Sequence, residues 1–198
     1  MTRDLVLTPT GLRYGNRLMP CTIGRGGIVT DKREGDGGTP VGRHEIVAIL
    51  YRPDRIDRRR LPRWAVPIRP GDLWSDDVAD PEYNQLVAAP HDWSHESLRR
   101  PDPLYDLVLV TDWNWPDALP GRGSAIFLHS WRRPGAPTAG CIGLSRPNLL
   151  WLAKRLTPGA ALRVKDQPWG LRAPKRAEPT RTQAAPWAAS YTHLRAHE

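Results

Sequence analysis

The stretch LYDLVLVTDW, Leu104–Trp113, decides the fold class. Between Asp106 and Asp112 it is nearly continuous in apolar character. That reads as a short strand buried on both faces, hence a central strand in a covered sheet. C-terminal to it, SAIFLHSW (Ser124–Trp131) and GCIGLS (Gly140–Ser145) read as two further strands. RPNLLWLAKRL (Arg146–Leu156) reads as the one clear helix. Pro147 sits near its start, Leu149, Leu150, Leu152, Ala153 and Leu156 mark one face, and Pro158-Gly159 stops it. AALRVKD (Ala160–Asp166) is a last strand.

N-terminal to the central stretch, RHEIVAILY (Arg43–Tyr51) is a good strand. DLVLTPTGLRYGNRLMPCTIG (Asp4–Gly24) alternates short apolar runs with turn residues, as hairpins do. Gly24–Gly42 is loop-rich. Arg52–Leu104 is irregular and too long for a structureless loop, which predicts local structure or function of its own. From Gln167 the pattern dissolves into Pro, Ala, Arg and Thr. The expected organisation is one mainly β domain with one or a few helices over 1–166, followed by a disordered or loosely docked tail over 167–198.

Composition agrees and excludes little else. The 198 residues include 17 Gly and 21 Pro, 39% hydrophobic and 25% charged residues, a globular profile weighted toward strands and ordered loops. No apolar run approaches the roughly 20 residues of a membrane span, and MTRDLVLTPTGLRYG lacks a secretory h-region. The net charge of +8 comes mostly from arginine. Its one dense cluster, Arg58-Arg59-Arg60, is flanked by Asp54 and Asp57, so nucleic acid is not expected as a partner. Two cysteines, Cys21 and Cys141, make no CxxC and no zinc-finger spacing. His91 and His95 stand four apart without an evident third ligand. Neither metal nor organic cofactor is expected.

The chemistry concentrates in LHSWRRPGAPTAGCIGL, Leu128–Leu144. A cysteine is a nucleophile only as thiolate, a few per cent of the thiol near neutrality, so it needs a base beside it. His129 and Cys141 end one expected strand and begin the next, and Ser130–Gly140 is expected to bring both strand ends to one rim. The Ser130 carbonyl is placed to fix the imidazole tautomer through Nδ1. The turn Ala139-Gly140-Cys141 offers backbone N–H groups for an oxyanion. On spacing alone two readings stand: a catalytic couple, or a packed cysteine beside a satisfied histidine.

His129-Ser130 followed by Thr138-Ala139-Gly140-Cys141-Ile142 resembles the active-site segment of the L,D-transpeptidases, the YkuD-like family. Ile23–Ile46, LWSDDVADPEYNQLV, HESL, LYDLVLV and LPGRGSAIFLH resemble a smaller bacterial branch of it. The resemblance spans roughly Leu5–Val164. It implies the family's β-sandwich-like domain, with Cys141 as nucleophile and His129 as base. It also implies cysteine acyl transfer on peptidoglycan stem peptides, with release of a D-amino acid and cross-linking to a second stem's amine. Two positions depart from the family motif: Ala139 stands where a His is usual, and Gly143 where an Arg is often found.

Further expectations concern substrate. Asp76 and Asp77 are placed to hold a diaminopimelate ammonium group, and Tyr83 and Asn84, near Trp74, to hydrogen-bond stem amides. Arg132, Arg133 and Thr138 are placed to meet the substrate near the Cys–His loop. The competing reading of each is turn chemistry or a solvated charge. Two alternatives to cross-linking remain: hydrolysis of stems at the same site, or a basic cell-wall or nucleic-acid binding module without catalysis. The implied substrate places the protein on the periplasmic or cell-wall side, in tension with the missing h-region. Oligomeric state is not legible.

Overall fold

The computed structural model describes residues 4–166, so the expected tail at 167–198 lies outside the described residues. The strands are β1 (Leu5–Thr8), β2 (Gly11–Tyr14), β3 (Arg17–Met19), β4 (Cys21–Thr22), β5 (Ile28–Val29), β6 (Thr39–Pro40), β7 (Gly42–Tyr51) and β8 (Ala65–Pro67). They continue with β9 (Asp72–Ser75), β10 (Leu86–Ala88), β11 (His95–Ser97), β12 (Leu107–Thr111), β13 (Phe127–Ser130), β14 (Ile142–Leu144) and β15 (Ala161–Val164). The helix α1 spans Arg146–Ala153. The domain is mainly β, as expected.

Ten strands form the principal sheet, in the order β3-β2-β1-β15-β7-β12-β13-β14-β4, with β8 added beside β7. Leu107–Thr111 is buried at every position because β12 lies between β7 and β13 and both sheet faces are covered. Leu107 and Leu109 point into a layer shared with α1, Leu128, Ile142 and Leu144. Val108 and Val110 point the other way, into a layer with Trp74, Leu98, Tyr105, Phe127 and Cys141. Alternation of side chains along one strand therefore supplies both cores.

The irregular segment does have structure of its own. A three-stranded sheet, β10-β9-β11, covers the second face and contributes Trp74 to its core. Ser145 caps α1, its Oγ accepting from the Asn148 N–H at 3.4 Å, with Pro147 in the first turn. The helix is shorter than its apolar pattern, which runs on to Leu156. β13 likewise begins at Phe127 rather than Ser124, since Ala125 takes a left-handed φ of 48° that interrupts a strand. Among the described residues no helix is long and apolar enough to cross a membrane.

Candidate active site

His129 lies in β13, and Cys141 immediately precedes β14. The two strands are parallel, with Leu128 opposite Ile142 and His129 opposite Gly143. Cys141 therefore falls beside Phe127, and Phe127, His129, Cys141 and Gly143 project from one face. This corrects the expectation of two neighbouring strand ends. In a parallel pair the end of β13 and the start of β14 are at opposite ends, and the intervening loop runs back along them. Register alone makes Cys141 and His129 diagonal neighbours.

The sulfur is enclosed, with Cys141 only 8% exposed. Its thiol donates to the Ala125 carbonyl at 3.0 Å and accepts from the Phe127 N–H at 3.3 Å. Burial pushes the thiol pKa up to about 12, aided by the Glu96 charge and opposed by the Phe127 N–H and the Lys32 ammonium. His129 is also buried, and burial lowers its pKa to about 4 against the Ser130 hydrogen bond. The resting pair is thus thiol and neutral imidazole. Nδ1 lies 2.8 Å from the Ser130 carbonyl. An oxygen acceptor there puts the ring proton on Nδ1 and leaves the Nε2 lone pair free. The Ser130 hydroxyl is buried without a partner. Cys21 is free and packs in the opposite core layer.

The turn before the sulfur is tightly bonded. Thr138 Oγ1 donates to the Cys141 carbonyl at 2.5 Å and accepts from the Gly140 N–H at 3.2 Å. This corrects two expectations. The Gly140 N–H is consumed by the turn rather than offered to an oxyanion, and the Thr138 hydroxyl is committed to the backbone rather than to substrate. Ala139 is exposed. At Gly143 a Cβ would stand 2.5 Å from Thr22 Oγ1 and 3.1 Å from Trp131 Cβ. The family's Arg has no room there.

Asn84 is a buried structural hub, a correction to its expected role. Its Oδ1 accepts from Trp74 Nε1 and from the Ala125 N–H, each at 3.0 Å. Its Nδ2 donates to the Trp113 and Asn114 carbonyls. All four hydrogen-bonding positions are used, so none is left for a stem amide. Trp74 is core, packed edge-on against Phe127. Asp77 closes a turn, its carboxylate accepting from the Ala79 and Ser94 N–H groups. Arg132 and Arg133 are exposed in the loop. Arg132 adds to Arg100 in holding the Asp102 carboxyl low.

Asp76 differs, because its Oδ1 is buried without a partner. It belongs to an acidic group that sequence reading reached only in part. Tyr83 donates to Glu34, and Tyr105 donates to Glu96. Burial raises the Glu96 pKa, and the charges of Asp76 and Glu34 raise it further. Tyr105 also packs edge-on against His129, ring centroids 5.2 Å apart. Tyr105, Glu96 and Glu34 stand in the quoted segments, but nothing in their local spacing connects them across the sheet. His91 instead pairs with the buried Asp80 at 2.7 Å. Among the described residues no group of His, Cys, Asp or Glu is arranged to hold a metal.

The family model YkuD, described as the L,D-transpeptidase catalytic domain, matches residues 8–165. No curated protein matches the chain. One solved structure similar to it is an L,D-transpeptidase from Mycobacterium smegmatis, at 16% identity and a TM-score of 0.38. That likeness covers 83% of this chain and 58% of the other, so this chain spans less than two thirds of that protein.

Proposed function

The chain belongs to the L,D-transpeptidase catalytic-domain family, YkuD, and from that membership we propose that it is a cysteine acyltransferase acting on peptidoglycan stem peptides. The observation that carries this reading is the placing of His129 and Cys141 on one sheet face, with the imidazole held in one tautomer by Ser130.

In the proposed reaction a donor stem enters over Cys141, and the thiol turns from the Ala125 carbonyl toward Nε2 of His129. The proton passes to Nε2 as the sulfur attacks the stem-peptide carbonyl carbon. A neutral thiol paired with a neutral imidazole suits a buried site, since no ion pair has to be kept out of water between turnovers. The tetrahedral oxyanion is met by the Cys141 N–H. The imidazolium returns its proton to the leaving nitrogen, and a D-amino acid departs. The amine of a second stem then attacks the thioester, gives its proton to His129 and restores the thiol. Asp76, Glu34 and Glu96 are assigned to the ammonium groups of the stems, with Tyr83 and Tyr105 orienting Glu34 and Glu96. Arg132 and Arg133, exposed in the loop between His129 and Cys141, are assigned to a substrate carboxylate. The substrate places this activity on the cell-wall side of the membrane.

Incubation with purified disaccharide-tetrapeptides, followed by mass spectrometry of protein and products, tests the proposal. The expected outcome is an acyl adduct on Cys141 together with cross-linked dimers lacking one D-amino acid. Shortened monomers without dimers would assign hydrolysis to the same site. Unchanged substrate, or activity retained in Cys141→Ala, would overturn the reading.

A further inference from the structure

Three backbone segments meet behind Cys141, and a single side chain sits among them. Gly24 continues from β4, Gly37–Gly38 closes the glycine-rich loop, and Gly140 precedes the sulfur. A Cβ on Gly24 would lie 2.1 Å from the Gly37 carbonyl oxygen and 2.9 Å from Gly140 Cα. A Cβ on Gly140, whose φ is 145°, would lie 2.9 Å from the Gly38 oxygen. These glycines let the chains approach as closely as backbone allows. The Thr39 hydroxyl fits between them. It accepts from the Gly24 N–H at 3.0 Å and donates its one hydrogen to the Gly140 carbonyl at 2.7 Å. Thr39 is 1% exposed, so this hydrogen bond has no water competing for it.

The bond has a consequence across the next peptide plane. In a trans peptide the C=O and the following N–H point in opposite directions. Holding the Gly140 carbonyl toward Thr39 turns the Cys141 N–H away from Thr39. That N–H lies near enough to the sulfur to oppose the rise in its pKa. With the Gly140 N–H bonded to Thr138, the Cys141 N–H is the donor that the proposed reaction assigns to the oxyanion.

Thr39 is itself held. Its N–H donates to the Gly27 carbonyl at 2.8 Å. Asp36 Oδ1 ties the preceding loop together, accepting from the nearly buried Lys32 ammonium and from the Gly38 N–H, each at 2.7 Å.

We propose that Thr39 is a positioning residue for acyl transfer, its hydroxyl fixing the Gly140 carbonyl so that the Cys141 N–H faces the developing oxyanion. The inference rests on the reading of Cys141 as an acylated nucleophile. Thr39 does not touch substrate. Its contribution is the orientation of one preorganised donor, a type of group whose removal typically costs about 10²–10³ in rate.

The test compares two reactions of the same sulfur in the wild type, Thr39→Val and Thr39→Ser. Acylation by a simple alanyl thioester passes through an oxyanion, whereas alkylation by iodoacetamide is a displacement at carbon that forms none. Thr39→Val keeps the shape and loses the hydroxyl. It is expected to slow acylation about 10- to 100-fold while alkylation stays within about twofold, and Thr39→Ser is expected to recover most of the acylation rate. Equal acylation by Thr39→Val and wild type would overturn the inference, as would equal loss of both reactions, which would mean a generally damaged site. A wild type acylated by the thioester but not by disaccharide-tetrapeptide would overturn the substrate reading and leave the Thr39 comparison intact.

Discussion

The Cys141 thiol donates its hydrogen to the Ala125 carbonyl at 3.0 Å, while the His129 ring is held through Nδ1 by Ser130. The two groups share a sheet face, yet the resting sulfur is directed at a backbone oxygen. Burial strips a thiolate of its solvation, and the Glu96 charge adds to the penalty, which explains why the thiol holds its proton so firmly.

Reactivity should therefore show a late alkaline rise. With a pKa raised to about 12, the alkylation rate of Cys141 is expected to climb through pH 10 without bending, as followed by peptide mapping against unfolded protein, whose curve bends near the ordinary thiol pKa of about 8.5. A plateau between pH 6 and 8 would instead indicate a preformed thiolate–imidazolium pair.

Acid should weaken the fold through His129. Its folded pKa of about 4 lies below the ordinary value of 6.5, so between those values the unfolded chain binds more protons. Stability is fully present above pH 6.5 and is lost as pH falls toward 4, by roughly 3 kcal/mol for this group. Denaturant titrations of wild type and His129→Gln should diverge over that window, with the variant the flatter. Parallel slopes would mean that the imidazole is not buried neutral.

Asn84 separates a structural role from a binding one. Asn84→Ala would strand Trp74 Nε1, the Ala125 N–H and the Trp113 and Asn114 carbonyls. At about 1–3 kcal/mol for each buried unsatisfied group, the Trp74 and Ala125 donors alone give an expected loss of at least about 2 kcal/mol in urea unfolding. A variant of normal stability with a raised KM would restore Asn84 to the substrate.

Gly143 and Thr22 should be energetically coupled. Gly143→Ala forces a methyl against Thr22 Oγ1 and Trp131, an overpacking cost of about 1–3 kcal/mol. Thr22 Oγ1 is buried without a partner, so Thr22→Ala is expected to be near neutral and to absorb part of that cost. A double-mutant cycle in urea should give a coupling of about 1 kcal/mol. Simple additivity would show that Trp131, not Thr22, sets the limit.

Much of the fold was legible because its signals are local. The apolar run at Leu107–Val110 reported a strand covered on both sides, and Ser145, Pro147 and the leucines of α1 reported a helix. The Cys–His pair was legible as a motif, and so was the Ser130 carbonyl as a partner for Nδ1, since adjacency in the chain brings it within reach. Whether β13 and β14 run parallel, which hydroxyl reaches the Gly140 carbonyl, and whether Asn84 is spent inside or free at the surface depend on contacts between residues distant in the chain. Thr39 and Gly140 are 101 positions apart, and Asn84 and Ala125 are 41 apart. Local propensity determines which segments extend or coil. Register and hydrogen-bond satisfaction, set only when those segments pack and exclude water, decide which side chains remain available for chemistry.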